Sequence, residues 1–312
     1  MQTFAEGAYL ADGTRAAVTV GVYDGVHLGH RHVLDRLRAR AATEGLTTVV
    51  VTFDPHPAVV LSPERAPSLL TTLSRRLELL ASEGIDRCVV VGFDAVRATQ
   101  DPAAFVDRVL VQQLRAAAVV VGENFRFGQG RAGDVALLRT IAAREGFEVE
   151  GVALDASGGA PISSTRIREL LAAGDVHEAA ALLGRPHELE GIVEKGDGRG
   201  RSLGYPTANL AVTSGLCVPA VGIYAGLWTR PSGEQATAAI SVGRRPTFYE
   251  HGDVLVEAYL LDVDDSLYGE VSRVEFHERL RGEEKFDSVD DLVAQIGRDV
   301  DATRRLVGQA RT

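Results

Sequence analysis

Between residues 16 and 152, short Val-rich apolar runs alternate with stretches of helical periodicity. The runs at 16–22, 47–53, 88–93, 118–122 and 148–152 lack the apolar–polar alternation of a half-exposed strand, which predicts strands covered on both faces. Helical patterns at 30–44, 72–83, 102–114 and 134–145 separate them; in the first of these Val33, Leu34, Leu37 and Ala41 fall on one face. This alternation predicts an α/β fold with a doubly wound parallel sheet, and such sheets bind ligands beyond the C-terminal ends of their strands.

A further helical stretch at 176–183 runs into Gly184-Arg-Pro, a common helix exit. The pattern then changes. Runs at 187–193, 222–229, 235–242, 254–263 and 270–277, with turn residues between them, predict an antiparallel β-barrel. The chain returns to helix at its C-terminal end. Ser288 and Asp291 have capping-box-like spacing, and Val289, Leu292, Val293, Ile296 and Val300 line one face. Two domains are expected, 1–184 and 185–312, the second a barrel closed or flanked by that helix.

Composition narrows the class. The 312 residues are enough for two cores, and 45% hydrophobic with 24% charged residues is a soluble globular profile. A net charge of -10 without a Lys/Arg block argues against nucleic acid as a partner. No run reaches membrane-spanning length and no basic segment precedes an apolar one at the N-terminus, so no membrane partner is expected. The two cysteines, Cys88 and Cys217, lack metal-type spacing, which predicts buried thiols and a cytoplasmic location. Composition leaves a homo-oligomer open.

The candidate chemistry sits at the ends of the predicted strands. Residues 21–30 read Gly-Val-Tyr-Asp-Gly-Val-His-Leu-Gly-His, a strand-to-helix turn in which Gly21, Gly25 and Gly29 allow close backbone approach. The free N–H groups of the following helix suit a phosphate, and His27 and His30, three apart, can point the same way. After the second strand, Thr52-Phe-Asp-Pro-His-Pro57 forms a stiff loop kept out of the next helix by its prolines; it is either a structural loop or the wall of a pocket beside the first turn, with His56 in it. After the fourth, Asn124, Phe125, Arg126 and Phe127 suit a planar ring held by stacking and hydrogen bonds. Gly128, Gly130 and Gly133 spell GxGxxG with Glu150 downstream, a nicotinamide-dehydrogenase pattern. The glycines start too far past the strand for that fingerprint. At 161–168, Thr165 and Arg168 share a helix face and would meet one phosphate together, with Ser163 or Ser164 as the cap.

In the second half, residues 195–209 hold four glycines followed by Pro206-Thr-Ala-Asn. Gly196 to Ser202 imitates a Walker loop, but it is one residue short, Arg201 replaces Lys, and no helix is expected after it. Gly196, Gly198 and Arg201 remain a phosphate-binding loop or, equally, a solvated hairpin. Thr207 and Asn209 face one side of an extended segment and offer hard oxygens suited to Mg²⁺, or make local hydrogen bonds. Glu257 has apolar neighbours on either side. It is either a solvated outer-face residue or a partly desolvated carboxylate able to accept a proton.

The histidine turn, Asp54-Pro-His-Pro, Asn124-Phe-Arg-Phe-Gly and Ser163-Ser-Thr-Arg-Ile-Arg, in this order, resemble the N-terminal module of the bifunctional bacterial FAD synthetases (riboflavin kinase/FMN adenylyltransferase). The glycine loop with Pro206-Thr-Ala-Asn, Gly243-Arg-Arg-Pro-Thr-Phe, Leu267-Tyr-Gly-Glu and Leu280-Arg-Gly-Glu-Glu-Lys-Phe resemble the riboflavin kinase module. The resemblance implies a Rossmann-like nucleotidylyl transferase domain and a kinase barrel. It further implies ATP as co-substrate, riboflavin, FMN and FAD as substrates and products, and Mg²⁺. Carried onto this chain, it makes His27, His30 and Arg168 catalytic in adenylyl transfer, with Gly21, Tyr23, Gly29, Ser164 and Thr165 at the nucleotide and Asn124, Phe125, Phe127 and His56 at the flavin. It makes Glu257 the kinase base, Thr207 and Asn209 the metal ligands, and Gly196, Gly198 and Arg201 the phosphate loop. Tyr23 stands where many members have Phe, and His187 where Tyr is common. The alternatives are a monofunctional enzyme with one site degenerate, a nicotinamide oxidoreductase, and a non-catalytic flavin-binding protein.

Overall fold

In a computed structural model the described residues are 1–7, 10, 13–153, 156, 157, 160–196, 198–244 and 254–310. They form two compact units: Met1–Pro67 with Leu73–Ser163, and Ser68–Thr72 with Ser164–Thr312.

The first unit is built on six parallel strands: β1 (Gln2–Ala5), β2 (Ala16–Val20), β3 (Thr47–Asp54), β4 (Arg87–Gly92), β5 (Ala116–Gly122) and β6 (Glu148–Val152). Their order is β1-β4-β3-β2-β5-β6. All five residues of β2 are buried, as a central strand covered on both faces requires. Val18, Val51, Val89 and Val119 pack with Phe105, Leu110 and Leu138 on one face. Ala17, Val50, Cys88 and Val120 pack with Leu34, Leu37 and Leu80 on the other. Burial pushes the Cys88 thiol up to about 12, so the group is an inert core residue. Successive strands are added in one direction from β2 to β4 and in the other from β5 to β6, so the loops after β2 and β5 flank the sheet's switch point.

Two expectations need correction here. The Asp54-Pro-His-Pro loop does not stay out of helix: Pro57–Leu61 is helical, with Pro57 in its first turn, where a missing N–H is harmless, and His56 Nδ1 accepting from Ala58 N at 3.0 Å. The helix expected over 102–114 is not uniform. Pro102–Phe105 is α-helical and Val106–Gln113 is wound as a π-helix.

In the second unit, β7 (His187–Glu194), β8 (Thr207–Val212), β9 (Gly222–Thr229), β10 (Gln235–Arg244), β11 (Val254–Leu260) and β12 (Val271–Arg281) close a barrel in the order β8-β11-β10-β9-β12-β7. The pairs are antiparallel. Trp228, Tyr224 and Phe276 are fully buried. The C-terminal helix, Val289–Ala310, packs Val307 on Ala225 and Leu227, and the Arg281 guanidinium holds its Asp299 bidentately at 2.8–3.1 Å. Ser288 Oγ accepts from Asp291 N at 3.1 Å and so caps this helix, a contact typically worth about 1 kcal/mol. Val289, expected on the packed face, is 62% exposed.

The helices Ser164–Ala173 and Val176–Leu183 fall in this second compact unit, Val176–Leu183 packing on β7 and β12. Ser68–Thr72 joins it too: Leu69 N donates to Gly215 O and Cys217 N to Leu69 O, both at 2.7 Å.

Candidate active sites

At the switch point of the first unit, the turn after β2 is shaped by backbone in the left-handed region at Tyr23, Gly25 and Val26. A Cβ at Gly21 would stand 2.9 Å from the Tyr23 ring, which folds back so that its hydroxyl shares a 2.7 Å hydrogen bond with Thr19. Burial raises the Tyr23 phenol pKa and keeps it neutral. His27 is the N-cap of helix Leu28–Glu44; its Nδ1 accepts from His30 N at 3.3 Å, which leaves the proton of the neutral ring on Nε2. The three-residue spacing brings the imidazoles into a stack, ring centres 3.7 Å apart and 16° from parallel, with Tyr23 4.9 Å from His30. Gly29 lets the Ile162 carbonyl approach, since a Cβ there would lie 3.1 Å from it.

The His30 pKa is held well below the ordinary histidine value, first by burial, then by His27 and Arg76. Its Nδ1 is buried without a partner among the described residues. His30 is therefore a neutral imidazole with unused hydrogen-bonding capacity, a group suited to an anionic ligand that supplies the missing partner.

Beside this turn lies a cavity of about 300–1,000 Å³ class, 650 Å³ in volume, lined by Gly21, Phe53, His56, Phe93, Phe105, Phe125 and Phe127 among others. Phe125 and Phe127 stack at 5.2 Å, while Phe53 and Phe93 meet edge to face at 5.9 Å. Phe53 belongs to the loop expected to wall the pocket, whereas Phe93 and Phe105 carried no site reading in the sequence, although Phe93 directly adjoins a strand end. Asn124 stands on the exposed turn beside Gly122 and is not among the lining residues.

The GxGxxG glycines form no strand-to-helix turn. Phe127 and Gly133 exchange backbone hydrogen bonds at 2.9–3.0 Å, closing 128–132 into a loop, and the helix begins only at Val135 behind its Asp134 cap. Glu150 pairs with Arg36 at 2.7 Å. This geometry removes the basis of the oxidoreductase reading.

In the second unit, Val256, Ala258 and Leu260 of β11 point into the barrel, and the half-buried Glu257 alternates with them on the outer face. Register places Glu257 across from Asn209 of β8 on one side and Ser241 of β10 on the other, with Thr207 across from Tyr259. Thr207 and Asn209 share that outer face, and Asn209 is 9% exposed. The glycine loop lies directly upon them. A Cβ at Gly196 would fall 2.2 Å from Asn209 Nδ2, and one at Gly200 would fall 2.4 Å from the Tyr205 carbonyl and 3.4 Å from Thr207 Oγ1. Gly198 has a φ of +73°. Contrary to expectation, one helical turn, Arg199–Ser202, follows, too short to act as a phosphate-binding helix. Arg201 is exposed. Of the motif at 243–248, residues 245–248 lie outside the described residues. Glu270 binds Arg230 bidentately at 2.7 and 3.2 Å, which raises the Arg230 pKa.

Ser164, Thr165 and Arg168 belong to this second unit, on helix Ser164–Ala173. Arg168 Nε donates to the Ser68 carbonyl at 2.6 Å. Arg279 of β12 donates to the Ala173 and Val221 carbonyls at 3.2 and 2.9 Å, so it ties the far end of this helix to the barrel.

Residues 10–166 match the FAD synthetase family model and residues 183–307 the riboflavin kinase model. A Listeria monocytogenes bifunctional riboflavin kinase/FMN adenylyltransferase is 38% identical over 288 residues, 92% of this chain and 91% of that protein. The Escherichia coli K12 protein of the same description is 37% identical over 295 residues, covering 93% and 92%. A solved Streptococcus pneumoniae structure described as a macrolide-efflux protein is 30% identical with a TM-score of 0.88, covering 97% of this chain and 99% of that one. No helix among the described residues is long and apolar enough to cross a membrane.

A switch-point nucleotide fold and a kinase barrel in one chain define a flavin-nucleotide-forming transferase. The chain belongs to the bifunctional riboflavin kinase/FMN adenylyltransferase family. Its C-terminal part phosphorylates riboflavin with ATP, and its N-terminal part joins FMN to the AMP moiety of a second ATP, giving FAD and pyrophosphate.

Proposed function

We propose a division of labour between residues at the two sites, with the activities parting at 184/185, beyond the first matched segment, 10–166, and next to the start of the second, 183–307. The observation that carries the kinase assignment is the register of Glu257 with Asn209 beneath the Gly196 loop. Glu257 accepts the proton of the ribityl hydroxyl as its oxygen attacks the γ-phosphorus and ADP leaves. Gly196, Gly198 and Arg201 receive the phosphates. The donor set also fits Mg²⁺: a hydroxyl and a carboxamide on one face are hard ligands, and this ion keeps most of its shell as water and phosphate oxygens. Thr207 and Asn209 would hold it, where it supplies charge neutralisation for the phosphates.

In the adenylyl transfer, an oxygen of the FMN phosphate attacks the α-phosphorus of ATP and pyrophosphate leaves. The attacking phosphate is already an anion and needs no base. His27 and His30 and the N-terminus of helix Leu28–Glu44 stabilise the charge that develops. Ser164, Thr165 and Arg168 take their phosphate-binding role in this reaction from the sequence motif alone. Gly21, Tyr23 and Gly29 shape the nucleotide side, and the Phe125–Phe127 stack with His56 holds the flavin ring. Asn124 supplies a polar contact at the rim. We place the enzyme in the cytoplasm, a reading supported by Cys88 and Cys217, buried thiols that form no disulfide.

Incubating the full chain with riboflavin, ATP and Mg²⁺ and separating the flavins tests the scheme. FMN should appear first and FAD after it, with one ADP and one pyrophosphate released per FAD. FMN accumulating without FAD would defeat the assignment of the first domain. Gly196→Ala should lower riboflavin phosphorylation by about tenfold or more, because the loop must lift off Asn209, while FAD synthesis from supplied FMN stays unchanged.

A further inference from the structure

We infer that Arg76 is a positioning residue for adenylyl transfer: a cation buried behind the His27–His30 turn that ties the C-terminal ends of β2 and β3 together. The inference rests on the assignment of His27 and His30 to that reaction.

Arg76 sits on helix Leu73–Ser82 and is 1% exposed, which is rare for an arginine unless its charge has partners. Its Nη1 donates to Thr52 Oγ1 at 3.3 Å and to the Phe53 carbonyl at 3.1 Å. Thr52 Oγ1 in turn donates to the Val22 carbonyl at 2.9 Å. One guanidinium thus fixes the end of β3 against the residue that enters the histidine turn. Asp24, 2% exposed within that turn, and Asp54 at the end of β3 balance its charge. The Nε is buried and has no partner among the described residues. Helix and strand packing alone would be served as well by an apolar side chain, so the buried cation points to a task at the turn.

That task is electrostatic as well as geometric. The groups acting on His30 are His27, stacked upon it, and Tyr23 from its own turn, and Arg76 from the helix behind. Asp24, Asp54 and Cys88 act on Arg76. The Tyr23 phenol and Cys88 thiol are held neutral by burial. Burial and then His27 lower the proton affinity of His30 most, and Arg76 adds to them as the guanidinium behind the turn. Removing it raises the proton affinity of His30, so an acid limb set by that group moves to higher pH.

The test uses the full chain and the variants Arg76→Met, Arg76→Lys and Thr52→Val. FMN adenylylation is followed against pH, riboflavin phosphorylation is measured on the same preparations, and the His30 ring is titrated by NMR. Arg76→Met should lower kcat for adenylylation by about tenfold, leave phosphorylation unchanged, and shift the acid limb and the His30 titration upward. Arg76→Lys should restore the limb but not the full kcat, because the charge returns without the planar fork. Thr52→Val should lower kcat without moving the limb. Arg76→Met with wild-type kcat and limb overturns the proposal, as does an equal fall in both activities. If Arg76→Met does not fold, full activity in both Arg76→Lys and Thr52→Val overturns it. Adenylylation surviving His30→Ala would instead remove the assignment on which the inference rests.

Discussion

Glu257→Gln is expected to lower riboflavin phosphorylation by about 10²–10⁴-fold, the range for loss of a positioned proton acceptor. The change is nearly isosteric. It keeps a polar side chain between Asn209 and Ser241 in the barrel register, so β11 has no packing reason to move. The loss should fall on kcat and leave the KM for ATP close to its original value, since the nucleotide is held by the glycine loop and by Thr207 and Asn209. Supplying FMN directly separates the two activities: FAD formation from FMN should continue at the parent rate. A variant that still phosphorylates riboflavin at the parent rate would place the proton acceptor elsewhere.

His30→Ala should produce the converse pattern. Removing one preorganised donor from a phosphate site costs about 10²–10³-fold in kcat, read as pyrophosphate release from FMN and ATP, with riboflavin phosphorylation intact. The variant should also have a distinctive stability profile. The folded-state pKa of His30 lies well below that of the unfolded chain, so the unfolded chain binds the extra proton. The parent protein therefore loses stability as pH falls through about 6.5, where an unperturbed histidine protonates. His30→Ala should weaken that loss, measurable as a smaller fall in Tm between neutral and mildly acidic buffer.

The periodicities anticipated most of the scaffold. The Val-rich runs became β2 to β6 and the alternating runs became most of the barrel, because burial on two faces or on one leaves different marks on a strand. What escaped was short or polar. β1 has four residues, three of them exposed, and is defined by its pairing with β4, which no local pattern announces. β8 opens on Thr207 and Asn209 behind Pro206 and read only as an extended segment. Arg76 did leave a trace: it stands at i with the buried Leu79 and Leu80 at i+3 and i+4, a cation on the apolar face of its helix.

The site residues divide in the same way. His27 with His30, Phe125 with Phe127, and Thr207 with Asn209 were legible because each pair is local, and spacing along a helix, turn or strand fixes which side chains share a face. Pairings across the chain were not. Glu257 meets Asn209 through barrel register; Phe53, Phe93 and Phe105 join Phe125 and Phe127 around one cavity; and Arg76 reaches Thr52, Phe53 and the neighbourhood of His30. The amino-acid order by itself determined the two kinds of domain and the chemistry available in each motif. Only the tertiary structure decided which strands became neighbours and which charges lost their water, because both depend on contacts between residues far apart in sequence.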